Sequence, residues 1–213
     1  MEILDVLTGM AKTGRLGPVF GGADWSDVTA ALGEPWDVGT TSRSGERPEL
    51  FAYGDLELSV CRCGKVSLVC LQTWRGTVEL PPSLAGGNGT FPAGLKHTDV
   101  VSALDGAGCS WAPHPPLTFG DQCSLVVVPS GANFTFELPE GEEPVLDVMS
   151  LPGDGHDCSA RTTDRDDRRG APAASVPVSV PAPEGGPNGL GAALRRPVAR
   201  CPVSRRSSPG GRG

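Results

Sequence analysis

The sequence predicts an α+β fold: a tandem repeat of a capped helix plus an antiparallel sheet of three to four strands, followed by a disordered C-terminal tail. Three observations predict it. A helical stretch opening Ser26-Asp27-Val28-Thr29-Ala30-Ala31-Leu32-Gly33 returns seventy-two residues later as Thr98-Asp99-Val100-Val101-Ser102-Ala103-Leu104-Asp105. Each copy is followed by runs that alternate apolar and polar residues around a turn. Tyr53-Gly54-Asp55 in the first copy is echoed by Phe119-Gly120-Asp121 in the second.

Taken in order, Ile3, Leu7, Met10 and Ala11 follow helical spacing, and Gly14 ends that pattern. Gly17-Pro18 and Gly21-Gly22 form a loop. Ser26 is the expected N-cap of the next helix, with Asp27 where the helix dipole favours a negative charge. Val28, Ala31 and Leu32 form its buried stripe, and Gly33 with Pro35 stops it. Trp36–Arg47 reads as a polar loop, with a short strand near Trp36.

Leu56, Leu58 and Val60 alternate with Glu57, Ser59 and Cys61, the pattern of a strand with one buried face. A two-residue turn at Cys63-Gly64 pairs Leu58 with Val69 and Leu56 with Leu71. A three-residue turn slips the register and flips one strand. In the second copy a turn at Ser130-Gly131 pairs Val127 with Phe134 and Leu125 with Phe136. Each copy closes with one more strand, Thr77–Leu80 and Val145–Leu151, each stopped by proline. The expected domains are a first repeat with its N-terminal helix over 1–81, a Gly- and Pro-rich linker over 82–97, a second repeat over 98–152 and a tail over 153–213.

The tail differs in kind. From Gly155 to Gly213 there is no aromatic residue, no Ile and no Lys, and no apolar period. Such a stretch cannot bury enough surface to offset its ordering entropy. It reads either as a basic tail that binds an anionic surface or folds back on the body, or as an out-of-frame reading of a GC-rich gene. Charge divides the same way. Residues 1–154 hold 20 acidic and 8 basic side chains, and residues 155–213 hold 5 acidic and 10 basic, within a total net charge of −7. The acidic body argues against nucleic acid as a ligand and favours a basic partner, or serves solubility alone.

Met1-Glu2-Ile3-Leu4-Asp5 carries acid where a secretory signal carries Lys or Arg. No stretch approaches the roughly 18 apolar residues of a membrane span. A cytoplasmic protein with mostly reduced cysteines is the expectation. Cys61-Arg62-Cys63 with Cys70 is the densest thiol cluster, but it lacks the paired C-x-x-C spacing of a zinc site. Small buried side chains are the plainer reading. His97, His114 and His156 lie in no nucleophile motif. Gly86-Gly87-Asn88-Gly89 lacks the Lys-Ser/Thr pair of a phosphate loop. The expectation is therefore no catalytic residue, no metal and no cofactor.

The remaining signal is the outer face of the first hairpin. With Leu56, Leu58, Val69 and Leu71 inside, the opposite face presents Glu57, Ser59, Gln72 and Trp74, with Tyr53 near its edge. These five residues are the candidate partner-binding surface, since aromatics among polar groups are how such surfaces are built. The competing reading packs Tyr53 and Trp74 under the first helix or against the other copy.

The capped helix, Leu32-Gly33-Glu34-Pro35, and Tyr53-Gly54-Asp55-Leu56-Glu57-Leu58 leading into a hairpin resemble small actinobacterial proteins of unassigned role, some near toxin–immunity loci. The duplicated helix-plus-hairpin plan is also similar to β-lactamase inhibitory proteins and to SmpA-type lipoproteins, over about residues 24–151. The chain is expected to depart from the latter two in having no secretion signal and no lipid-anchor cysteine, and it shows no alignable inhibitory loop. The resemblance implies a non-catalytic binding fold, an immunity or inhibitor protein that recognises another protein. The alternative is an enzyme or small-ligand-binding protein with a cleft between the repeats.

Overall fold

The computed structural model describes residues 2–40 and 49–153. The expected tail beyond Gly153 and the distal part of the expected loop Trp36–Arg47 lie outside the described residues.

An α+β architecture is observed, with a large antiparallel sheet. Helix α1 (Ile3–Thr13) buries Ile3, Val6, Leu7, Met10 and Ala11 and ends at Gly14, whose φ of 69° only glycine adopts freely. A small ribbon, β1 (Arg15–Leu16) with β2 (Val19–Phe20), leads to helix α2 (Trp25–Leu32). There follow β3 (Asp37–Thr40), β4 (Glu49–Tyr53), β5 (Leu56–Val60) and β6 (Val66–Gln72). Next come β7 (Thr77–Glu79), α3 (Pro82–Ala85) and β8 (Thr90–Pro92). Helix α4 (His97–Gly106) precedes β9 (Ser110–Pro113), β10 (Gln122–Val128), β11 (Asn133–Glu137) and β12 (Val145–Pro152).

Eight strands form one sheet in the order β3-β4-β5-β6-β12-β11-β10-β9. Strands β3 to β6 and β9 to β12 each run as an antiparallel meander. The two meanders join where the last strand of each pairs, Met149 opposite Leu71 and Leu151 opposite Val69. Thr73 ties the seam further: its hydroxyl donates to the carbonyl of Leu146 at 2.7 Å, in a buried position.

One face of the sheet carries the core. Tyr53, Leu56, Leu71, Met149, Phe134 and Leu125 form a continuous buried row across six strands. Each fully buried Leu or Phe contributes about 1.5–3 kcal/mol of transfer free energy. Helix α2 meets this face through Trp25, stacked on Phe51 at 4.2 Å, and α4 meets it through His97, edge-on to Phe136 at 4.9 Å. Helix α1 packs on α4.

Several expectations change. Helix α2 starts one residue before Ser26, with Asp24 in the N-cap position, and α4 starts at His97 after Lys96. Of the expected α2 stripe only Val28 is buried; Leu32 is half-buried and Ala31 exposed. The first hairpin has the expected pairs, Leu56 with Leu71 and Leu58 with Val69, around a longer tip. Cys61 and Lys65 flank Arg62-Cys63-Gly64, Gly64 takes φ 76°, and an irregularity between Ser59 and Val60 restores the register.

The second hairpin pairs Leu125 with Phe134 and Cys123 with Phe136, two residues from the expected register. A turn at Ser130-Gly131 alone would ask Pro129 to donate to the ladder, and proline has no N–H. Val127 donates to the Ala132 carbonyl instead, at 2.8 Å, and the turn lengthens to four residues. A shift of two keeps every side chain on its face.

The expected closing strand Thr77–Leu80 also moves. Strand β7 leaves the large sheet and pairs with β8, burying Val78 opposite Phe91. The expected linker 82–97 thus contains α3 and β8.

Candidate functional site

The register fixes what the second face of the sheet presents. One row crosses all eight strands: Asp37, Ala52, Glu57, Cys70, Ser150, Asn133, Val126 and Ala112. Beside it run Gln72, Val148, Thr135 and Ser124 on one side, and Leu50, Ser59 and Leu68 on the other. Glu57, Ser59, Cys70, Gln72, Asn133, Val148 and Ser150 are half-buried. The loop His114–Phe119 covers the β10 side, where Ser124 N–H donates to Thr118 Oγ1 at 3.1 Å and Ser124 is fully buried.

Glu57, Ser59 and Gln72 share this face as expected, and Gln72 Nε2 donates to Glu57 Oε2 at 2.9 Å. Cys70 sits directly opposite Glu57. Burial, and then the Glu57 carboxylate, push the Cys70 thiol up to about 11, so it stays protonated and unreactive at neutral pH.

Tyr53 is a correction. It is fully buried on the core face, opposite Leu56, and its hydroxyl donates to the Gly33 carbonyl at 2.9 Å. Strand parity decides this: Ala52 is the β4 residue on the outer face. Burial, and then the Glu34 charge, raise the Tyr53 phenol above its ordinary value.

Trp74 is 60% exposed, one residue past the seam-forming Thr73. It lies beyond the end of β6, not within the sheet. The Arg75 guanidinium stands 4.8 Å from its ring centre and pairs with Asp55 at 3.2 Å. Asp55 also accepts the Glu79 backbone N–H at 2.7 Å, so the Trp74 loop is anchored to the small β7–β8 ribbon.

Near this end of the sheet is an acidic hollow of about 440 Å³, lined by Phe119, Asp121, Gln122, Thr135, Glu137 and Asp147. The Asp147 carbonyl accepts the Thr73 N–H at 2.9 Å, which places the hollow next to the base of the Trp74 loop. Phe119 is 58% exposed. The end of the sheet that carries exposed Trp74 therefore also carries exposed Phe119 and three carboxylates. Sequence reasoning missed Phe119, Asp121, Glu137 and Asp147. The Phe119-Gly120-Asp121 echo signals the first two, its first copy carrying a buried Tyr53 where the second carries an exposed Phe119, and no motif marks Glu137 or Asp147.

A larger cavity of about 730 Å³ lies between the start of α1 and residues Ala85–Leu95. None of its lining residues comes from 98–152, and none of the hollow's comes from 1–81, so neither cavity lies between the two expected repeats.

The expected thiol cluster divides. Cys61 and Cys63 sit together at the hairpin tip, and Cys70 sits mid-sheet. Cys61, Cys63, Cys70 and Cys109 carry thiols, whereas Cys123 is disulfide-bonded. Among the described residues no group of three or more His, Cys, Asp or Glu is placed to hold a metal ion. No described helix is long and apolar enough to cross a membrane.

No protein-family model, no curated protein and no solved structure matches this chain. The fold and the site define a class alone: an α+β protein with one eight-stranded antiparallel sheet and an acidic, aromatic-flanked end.

Proposed function

We propose that this is a non-catalytic protein-binding module of the cytoplasm, an immunity or inhibitor protein that engages a basic partner. The observation that carries the reading is the acidic hollow of Phe119, Asp121, Glu137 and Asp147 at the same end of the sheet as exposed Trp74. Aromatic anchors beside carboxylates suit Arg- or Lys-rich surface, through cation–π contact and charge-assisted hydrogen bonds. The net negative charge of residues 1–154 accelerates encounter with such a partner. Glu57, Ser59 and Gln72 extend the same surface along the open face.

We also read the two halves as copies of one unit. The order helix, then four-stranded meander, recurs as α2 with β3–β6 and as α4 with β9–β12. The equivalent last strands β6 and β12 meet antiparallel at the centre. That plan supports the resemblance to duplicated inhibitory proteins.

Affinity purification from the source cell, followed by mass spectrometry, tests the function. The wild-type chain is compared with a Glu137→Lys, Asp147→Lys double variant. A basic protein retained by the wild type and lost from the variant, then reproduced as a binary complex of the purified pair, is the expected result. Equal capture by both, or turnover of a small molecule by the pure protein, overturns the reading.

A further inference from the structure

The tip of the first hairpin carries two cysteine sulfurs held together by backbone geometry. Cys61 N–H donates to the Lys65 carbonyl at 2.9 Å, and Gly64 N–H donates to the Cys61 carbonyl at 3.0 Å. The tip is in turn fixed to the start of α2. The Gly64 carbonyl accepts the Trp25 N–H at 2.8 Å, and Lys65 Nζ pairs with Asp24 at 2.8 Å. Within this frame Cys61 Sγ and Cys63 Sγ approach to 2.6 Å. Both carry thiols. The two sulfurs lie well inside van der Waals contact, within reach of the ~2.05 Å of a disulfide bond.

We propose that Cys61 and Cys63 form a reversible dithiol–disulfide pair, oxidised by low-molecular-weight disulfides and reopened by thiols. Cys63 is half-buried and Cys61 nearly covered, which orders the steps. The Cys63 thiolate attacks one sulfur of R–S–S–R, and one R–S⁻ leaves and takes up the released proton. Cys61 then attacks the Cys63 sulfur of the mixed disulfide and expels the second R–SH. Two protein thiols are oxidised, and one small disulfide is reduced to two thiols. The Lys65 N–H points at Cys61 Sγ, 3.4 Å away, and stabilises negative charge that develops there. Cys70 is the internal contrast: its thiol is pushed up to about 11 and stays out of the exchange.

The test uses the reduced full chain, incubated with oxidised glutathione and then alkylated with iodoacetamide. Trypsin cleaves after Arg62 and after Lys65, which separates the two cysteines. The expected product is the peptide 44–62 disulfide-linked to the tripeptide 63–65, appearing with oxidised glutathione and lost on reduction. Cys61→Ser is expected to leave Cys63 carrying one glutathione, because the resolving sulfur is gone. In the wild type, full alkylation of both cysteines overturns the proposal. So does a persistent glutathione adduct on Cys63, or a link from either cysteine to Cys70 or Cys109.

Discussion

Tyr53 donates its hydroxyl hydrogen to the carbonyl of Gly33 at 2.9 Å, joining strand β4 to the residue that ends α2. The ring is fully buried in the row of Leu56, Leu71 and Met149. Tyr53→Phe removes the bond and leaves the carbonyl short of a partner, so a loss of about 1–2 kcal/mol is expected. Tyr53→Ala also leaves a cavity and is expected to cost about 3–5 kcal/mol. Urea melts of both variants measure this, and partner affinity of the Phe variant is expected to stay unchanged.

Asp55 performs a different structural task. It is buried, accepts the Glu79 N–H at 2.7 Å and pairs with Arg75. Asp55→Ala leaves the Glu79 amide without its acceptor and is expected to cost about 1–3 kcal/mol. The same change releases Arg75, so faster proteolysis near Arg75 is expected in the variant.

His97 predicts a pH dependence. Burial lowers its value below the ordinary 6.5, against a smaller opposing effect of Glu143. In the unfolded chain the imidazole protonates near 6.5, while the folded chain resists that charge. The stability it contributes is fully present above pH 6.5 and is lost as pH falls from there toward the folded value. Equilibrium melts from pH 7.5 downward are expected to show this loss, and His97→Phe to reduce it. Glu143 acts in a lower window. Hydrogen bonds from the Thr98 hydroxyl and backbone hold its carboxyl below the ordinary 4.5, so its contribution is present above 4.5 and lost as pH falls below it.

The α+β class, α1 with its Gly14 end and the pairing of the first hairpin were legible in the sequence. Alternation of period two around one turn specifies which residues share a face. The register of the second hairpin was not, because Pro129 in the turn forbids the shorter loop. For Trp74 the sequence leaves the outer face and inward packing both open, and the structure exposes it past the end of β6; Tyr53, expected near the edge of that face, turns to the core because the two-residue turn Gly54-Asp55 pairs it with Leu56. The acidic hollow was hidden for another reason. Asp121 precedes β10, Glu137 ends β11 and Asp147 lies in the first half of β12, and only the register of the three strands brings them together.

Trp74 tests the central claim most directly. With the partner in hand, Trp74→Ala is measured twice, by urea melt and by calorimetric titration of the partner. The account predicts a stability change within about 0.5 kcal/mol, as for an exposed residue. It predicts a fall in affinity of roughly thirty-fold, the equivalent of about 2 kcal/mol for an interface anchor. Unchanged affinity, or a stability loss of about 3 kcal/mol or more, would contradict it.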